Sequence, residues 1–421
     1  MKHVILGNGP AGVIAAETIR KHARQDEITL VGDEPEPPYS RMAIPYLLAG
    51  GITEEGTYLR KGKDHFADRQ ITLRTGRAKS VHCARQEVLL ADGAVLTYDR
   101  LLIATGSSPV RPSVAGIDLA GVLACWTLAD VRRIAEIAKP GARVLQMGAG
   151  FIGCIIMEAL ASRGVALSVV EMGDRMVPRM MGEGAGGMIK RWVDSKGVKV
   201  HTSCSVEDIR LKGNALGVRL SNGTGIEADL VISAVGVRPN IGFLQSSGID
   251  CAHGVLADQY LQTNVSGVYT AGDCAEALDQ ASGKHIVSAI QPNAADEAYC
   301  AAMNMAGKTM ALRGVAQINV LDTLGLVSAS FGAWQGVAGG EHAELADEIN
   351  HRFLRLEFGD DVLVGANCIG LTDHVGVLRG LIESRVRLGV WKDRLMQNPL
   401  ALMEAYLATA QAQSARGLEA R

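Results

Sequence analysis

Two glycine-rich turns, each set between a β-run and a helix and about 140 positions apart, constrain this chain more than anything else in it. The first is Gly7-Asn8-Gly9-Pro10-Ala11-Gly12, entered from Val4–Leu6 and followed by an alanine-rich helical stretch. A lone G-x-G-x-x-G match is weak, but the strand–turn–helix context makes it strong. Gly7 permits the tight turn, Gly9 lets the backbone approach a pyrophosphate, and Gly12 lets the helix pack on the strand. The helix start adds unpaired N–H groups and a partial positive charge. The next strand, ITLVG, runs into Asp33-Glu34, where a carboxylate accepts hydrogen bonds from ribose hydroxyls. Gly32 occupies the usual place of that acid, so the role falls to Asp33 or Glu34.

The second turn repeats the pattern. Gly148-Ala149-Gly150-Phe151-Ile152-Gly153 follows the strand ARVLQM and precedes another helix, and the next strand, ALSVVE, ends in Glu171. An acid there bonds the adenosine ribose diol and repels a 2′-phosphate, which favours NADH over NADPH. Arg175 and Arg179 follow closely and moderate that preference. Two fingerprints in one chain mean two dinucleotides, and the natural pair is a flavin with a nicotinamide.

At 421 residues the chain is too long for one core, so two or three domains are expected. Its net charge of -3, with acids and bases well mixed, gives no reason to expect a nucleic-acid partner. No apolar run is long enough to span a bilayer, and a start on the strand-like VILG gives the expectation of no signal peptide. A cytoplasmic location is the expectation. The eight cysteines are scattered, with no C-x-x-C pair and no zinc or iron–sulfur spacing, so no metal site is expected.

Three further segments carry a family resemblance. LLIATGSSPVRP (101–112) is a buried strand at which the chain leaves the first domain, LVISAVGVRPN (230–240) is where it returns, and GVYTAGDCA (267–275) sets Asp273 after Gly272 at a strand end. With the two fingerprints, these resemble the two-dinucleotide flavoprotein reductases of the pyridine nucleotide-disulfide oxidoreductase superfamily. The resemblance implies an α/β fold with two Rossmann-like dinucleotide-binding domains and a C-terminal α+β domain. The FAD domain would be discontinuous (1–112 and 239–315), the NAD domain inserted at 113–238, and the C-terminal domain would cover 316–421 and supply homodimer contacts. It also implies that Asp273 bonds the ribityl chain of FAD, that Arg41 contacts the FAD phosphates, and that the Ala78 backbone meets the adenine. Thr105 and Gly106 would lie at the hinge beside the flavin, Gly236 at the returning strand on the NAD side, and Gln291 and Pro292 at a helix start near the isoalloxazine. For the side chains at that helix start, a plain capping turn is the alternative.

The superfamily divides by its electron exit, and PYSRMAIPYLLAG (38–50) is where the division shows. Thiol-dependent members carry a cysteine pair here, or one cysteine before a proline–tyrosine run. Matching Pro45-Tyr46 to that run puts Met42 at the cysteine. A thioether forms no thiolate, attacks no disulfide and holds no sulfenic acid. The segment is most similar to the thiol-free branch of rubredoxin and ferredoxin reductases and the flavoprotein part of assimilatory nitrite reductases. That branch implies an NADH-dependent FAD reductase passing electrons to an iron–sulfur protein or a reductase partner subunit. Two departures bear on the nicotinamide side: Ile155 stands where many members carry a glutamate, and Tyr46 where several carry a lysine. With Met42 and Gln291 these complete the near-flavin candidates. Two rivals stay open: a persulfide or CoA-disulfide reductase using a distant cysteine (Cys274 or Cys300), and a non-catalytic NADH-binding flavoprotein.

Elsewhere, 76–100 reads as a hairpin region turning at Asp92-Gly93. In 349–370, Leu354, Leu356 and Phe358 alternate with Arg355 and Glu357 before a turn at Gly359-Asp360-Asp361, and helical patterns follow at 374–389 and 398–412. The end, 411–421, reads as a fraying helix.

Overall fold

A computed structural model describes residues 1–409; the tail 411–421 and the last residues of the 398–412 helical reading lie outside them. The described chain forms two compact units. One comprises Met1–Pro109, Trp126–Val131 and Val237–Ala316; the other comprises Val110–Cys125, Arg132–Gly236 and Gln317 onward.

Near-continuous apolar runs produce the first unit's parallel sheet, because a parallel sheet is covered on both faces. Its strand order is Val268–Thr270, Arg100–Ile103, Lys2–Leu6, Glu27–Gly32, Ile71–Thr75. Ile5, Leu30, Leu101, Leu102 and Ile103 are fully buried, and burial of each such side chain stabilises by roughly 1.5–3 kcal/mol. Leu6 lies opposite Val31 on one side and Ile103 on the other, and Thr270 lies opposite Ile103. That register brings the carboxyl ends of four strands to one edge, so Gly7–Gly12, Asp33-Glu34, Thr105-Gly106 and Gly272-Asp273 emerge there together. The helices Pro10–His22 and Gln291–Met305 meet through small buried residues, among them Ala11, Ala15, Ala16, Ala294, Ala298 and Ala301. The expected hairpin region is a three-stranded antiparallel sheet, Ala78–His82, Glu87–Leu90 and Val95–Thr97. Gly93 adopts φ +89° in its last turn, and the Ala94 N–H donates to Asp92 Oδ1 at 3.0 Å. The exit and return segments pair as a ribbon, Ser107–Pro109 against Val237–Pro239.

The second unit holds a parallel sheet of the same design, ordered Lys199–His201, Ala166–Val170, Arg143–Met147, Leu230–Ser233, Val122–Ala124. Its C-terminal part is a five-stranded antiparallel sheet, Ile318–Thr323 to Leu326–Gly332 to Val362–Ile369 to Arg352–Gly359 to Glu341–Asp347. Leu354, Leu356 and Phe358 are buried in that sheet's core, as the alternation predicts, and Asp360 makes the turn at φ +52°. Glu357, on the side opposite to them, is buried too, and its carboxylate accepts a 2.6 Å hydrogen bond from Arg355 Nε. The helices Val375–Ser384 and Val390–Gln397 follow the sheet, and Leu378, Leu381 and Leu395 belong to its core. The fold is thus mixed α/β with two Rossmann-like sheets and a C-terminal α+β region.

Candidate functional site

In the first unit the glycines of the fingerprint sort by what a side chain would meet. A Cβ at Gly7 would lie 1.9 Å from the Ala104 carbonyl oxygen, and Gly7 itself has φ +112°. One at Gly12 would lie 1.8 Å from the Gly7 carbonyl oxygen. Both glycines are therefore required by the chain's own packing. Gly9 is different: it has an extended backbone (φ -73°, ψ -171°) and a Cβ there would meet nothing within 4 Å. Gly9 caps a 13-residue helix that has Pro10 at its start, no side-chain cap and no acid in its first turn. Its free N–H groups thus face an open place bounded by backbone, which fits an anionic diphosphate.

In the same unit, three predicted residues and three unpredicted ones form two hydrogen-bonded groups. Glu34 accepts from Arg41 (Nη2 to Oε1, 2.6 Å) and from the Tyr39 hydroxyl (2.6 Å). Arg41 Nη1 also donates to the Trp126 carbonyl oxygen at 2.8 Å, and the guanidinium lies 5.5 Å from the ring centroids of both Tyr39 and Trp126. A pair this exposed contributes about 1 kcal/mol or less, so a phosphate can share the guanidinium without unfolding the loop. Asp33, by contrast, is exposed and 3.9 Å from Arg77. Between the two acids that the sequence leaves open, Glu34 is the one built into the loop. In the second group Asp273 accepts the Ser107 hydroxyl at 2.7 Å, and burial raises its carboxyl above the ordinary range. Gly272 precedes it at φ +80°.

Thr105 is tied across to the returning segment: its hydroxyl donates to the Asn240 carbonyl at 2.8 Å, while Asn240 Nδ2 donates back to the Thr105 carbonyl at 3.0 Å. Gly106 holds φ +64° beside it. Gln291 and Pro292 open the Gln291–Met305 helix, and Ser40 donates to Gln291 Oε1 at 2.7 Å, which ties the 38–50 loop to that helix start. Ala78 begins a strand of the small sheet. Met42 and Tyr46 lie one turn apart and are 50% and 63% exposed, whereas Ile44 and Leu48 on the other side are buried.

The second unit repeats the geometry. Gly148 has φ +98° and a Cβ there would press on the Ala234 carbonyl oxygen, Gly153 is closed against Gly148, and Gly150 is open. Phe151 and Ile152 start the following helix, Phe151–Ser162. Glu171 accepts the Ala149 N–H at 2.7 Å and the Gly173 N–H at 2.8 Å, so this acid braces the turn from the next strand. Buried Gln146 adds a brace, its amide donating to the carbonyls of Gly148 (2.8 Å) and Gly153 (2.9 Å). Gly236, at φ +124°, follows the strand Leu230–Ser233. Ile155 is half-buried. Glu158, one turn on, sits against the C-terminal sheet's Asp322 and the Leu324 backbone, and burial raises its carboxyl.

The thiols stand apart from this chemistry. Cys274 is buried with its Sγ on the Ile103 and Ala271 carbonyls (3.4 and 3.5 Å), and burial pushes its thiol up. Cys300 is buried in the helix core and pushed up to about 11. Neither is a thiolate near neutral pH, and reactivity requires the thiolate. Among the described residues no cluster of His, Cys, Asp or Glu could hold a metal ion, and no helix is long and apolar enough to cross a membrane.

Two parallel sheets, each followed by a glycine turn with one open glycine and an acid held by hydrogen bonds, define a protein with two dinucleotide-binding folds. The chain belongs to the pyridine nucleotide-disulphide oxidoreductase family, whose sequence profile matches residues 1–295. It is accordingly a nicotinamide-dependent enzyme of a family that uses FAD. It is 32% identical to the NADH-dependent phenylglyoxylate dehydrogenase subunit epsilon of Aromatoleum evansii, over 95% of this chain and 96% of that one. It is 26% identical to the benzene 1,2-dioxygenase system ferredoxin–NAD(+) reductase subunit of Pseudomonas putida, over 94% and 91%. Among solved structures, a NAD-dependent persulfide reductase from A. fulgidus superposes with a TM-score of 0.86 at 26% identity, covering 93% of this chain and 78% of that one.

Proposed function

We propose that this protein carries electrons between NADH and an iron–sulfur protein through FAD, without a redox-active cysteine. The observation that carries this reading is Met42 in the loop next to the first nucleotide turn, together with the burial of Cys274 and Cys300. FAD bound to the first unit supplies the exchange between a two-electron hydride donor and single-electron transfers. The chain's own residues bind and orient. The Gly9 turn takes the diphosphate, Glu34 the ribose, Arg41 the phosphates and Asp273 the ribityl hydroxyls, with Ala78 and Gln291 at the ends of the cofactor. In the second unit the Gly150 turn takes the NADH diphosphate, and Glu171 disfavours a 2′-phosphate.

An iron–sulfur acceptor is supported by the relative named for a ferredoxin–NAD(+) reductase subunit; that relative and the one named for a dehydrogenase subunit are both matched over nearly their whole length. The latter supports a role as one subunit of an NADH-dependent assembly. The segments 1–112 with 239–315, 113–238 and 316–421 are proposed as the FAD, NAD and interface parts of a cytoplasmic enzyme. The interface part would join two copies, a point that light scattering of the purified protein decides.

The test is anaerobic mixing of the flavin-loaded protein with NADH, followed by addition of a ferredoxin or a rubredoxin. The flavin band should bleach within seconds and the acceptor should then be reduced. A band that stays oxidised sinks the reductase assignment, and bleaching without acceptor reduction sinks the iron–sulfur assignment.

A further inference from the structure

One buried carboxyl takes no part in the chemistry above. Glu297 lies in the second turn of the Gln291–Met305 helix, 1% exposed, beside the apolar core residues Ala294, Ala298 and Ala301. Its hydrogen-bond partner is the Gly272 N–H, 2.6 Å from Oε2. An acid kept away from water without a cation is costly unless something holds it there. Gly272 is itself confined: it has φ +80°, and a Cβ on it would lie 3.2 Å from Ala11 of the first fingerprint and 3.7 Å from Ala294. Glu297 therefore reaches, from behind, the glycine at which the fingerprint helix, the Gln291–Met305 helix and the turn bearing Asp273 converge.

On the FAD reading above, we infer that Glu297 is a positioning residue of the flavin site, whose carboxyl group fixes the Gly272-Asp273 turn so that Asp273 faces the cofactor. Burial raises its carboxyl to about 8, so at neutral pH it is uncharged and accepts the Gly272 N–H without a second negative charge beside Asp273. The charged groups acting on it are Asp273 and its helix neighbour Asp296. On the first fingerprint helix, Glu17 is engaged by Arg60 and His65, and Arg20 by backbone carbonyls. The strand Val268–Thr270 carries no charged side chain.

The test compares the wild type with Glu297→Gln, which keeps an acceptor, and Glu297→Met, which has similar size and none. FAD affinity of the deflavinated protein is read by fluorescence quenching, beside its melting temperature. Glu297→Gln should bind FAD within about threefold of wild type, and Glu297→Met at least tenfold more weakly at an unchanged melting temperature. Between pH 7 and pH 9 the wild-type affinity should fall, while that of Glu297→Gln stays flat. FAD binding by Glu297→Met equal to wild type overturns the inference. So do identical pH profiles for wild type and Glu297→Gln, a comparison that stands even where Glu297→Met fails to fold. A wild type that binds no FAD at all overturns the reductase reading itself.

Discussion

Gly9→Ala and Gly12→Ala sit three residues apart in the same turn, yet the structure gives them opposite outcomes. A methyl at Gly12 would lie 1.8 Å from the Gly7 carbonyl oxygen and 3.1 Å from Leu30 Cδ1. Ordinary contact requires the backbone of the turn to move by about 1 Å or more, and overpacking of that kind costs roughly 1–3 kcal/mol or above. At roughly 2–4 °C per kcal/mol for a unit of this size, Gly12→Ala should lower the melting temperature by about 5–10 °C. A methyl at Gly9 meets no protein atom within 4 Å, and the backbone there (φ -73°) suits any residue. Losing glycine at a helix N-cap costs roughly 0.5–1 kcal/mol, a shift of about 4 °C at most. On the proposed FAD reading, however, the methyl would occupy the place through which the diphosphate reaches the helix N–H groups. Hydrogen bonds to charged groups contribute about 1.5–3 kcal/mol each, so FAD affinity should fall by roughly tenfold to a hundredfold. Differential scanning fluorimetry of the apoprotein and FAD titration of each variant separate the two effects. Gly9→Ala with unchanged flavin content and affinity would refute the placement of the diphosphate at this turn.

Cys274→Ala and Cys300→Ala should leave NADH-driven reduction of an iron–sulfur acceptor within about twofold of wild type, since burial holds both thiols in the neutral form. A loss above tenfold in a folded variant would revive the thiol-dependent rival. Glu171→Ala frees the Ala149 and Gly173 N–H groups and loosens the second turn. KM for NADH should rise at least tenfold while flavin content is unchanged, and a loss of FAD instead would mean the two turns are assigned the wrong way round. His3 is buried on Asp26 (2.8 Å), and burial lowers its pKa below the ordinary 6.5. The unfolded chain therefore binds a proton that the folded one resists, and His3 makes stability fall as pH drops below about 6.5. Melting temperatures at pH 7.5 and pH 5.5 should converge in His3→Gln, and an unchanged gap would remove His3 from the acid response.

What the sequence made legible is local and steric. Gly7, Gly12 and Gly148 could be assigned by type because a glycine turn between strand and helix has few alternatives, and the structure shows the backbone oxygens that forbid a side chain at each. The buried strands were equally plain, since a run such as LLI has no face to offer water. What could not be read is what the sheet brings together from afar. Trp126 reaches Arg41 across 85 positions, Gln291 meets Ser40 across 251, and Ser107 meets Asp273 across 166. Glu297 is hidden for a second reason: an acid on a helix ordinarily reads as a solvated face, and only packing against the small-residue seam reverses that. The Asp33–Glu34 ambiguity has the same origin. Both acids follow the strand, and their difference comes from Tyr39 and Arg41 folding back over Glu34. The loop that lacks a cysteine therefore still has a task. Through Tyr39 and Arg41 it holds Glu34, through Ser40 it is tied to Gln291, and it leaves Met42 and Tyr46 exposed.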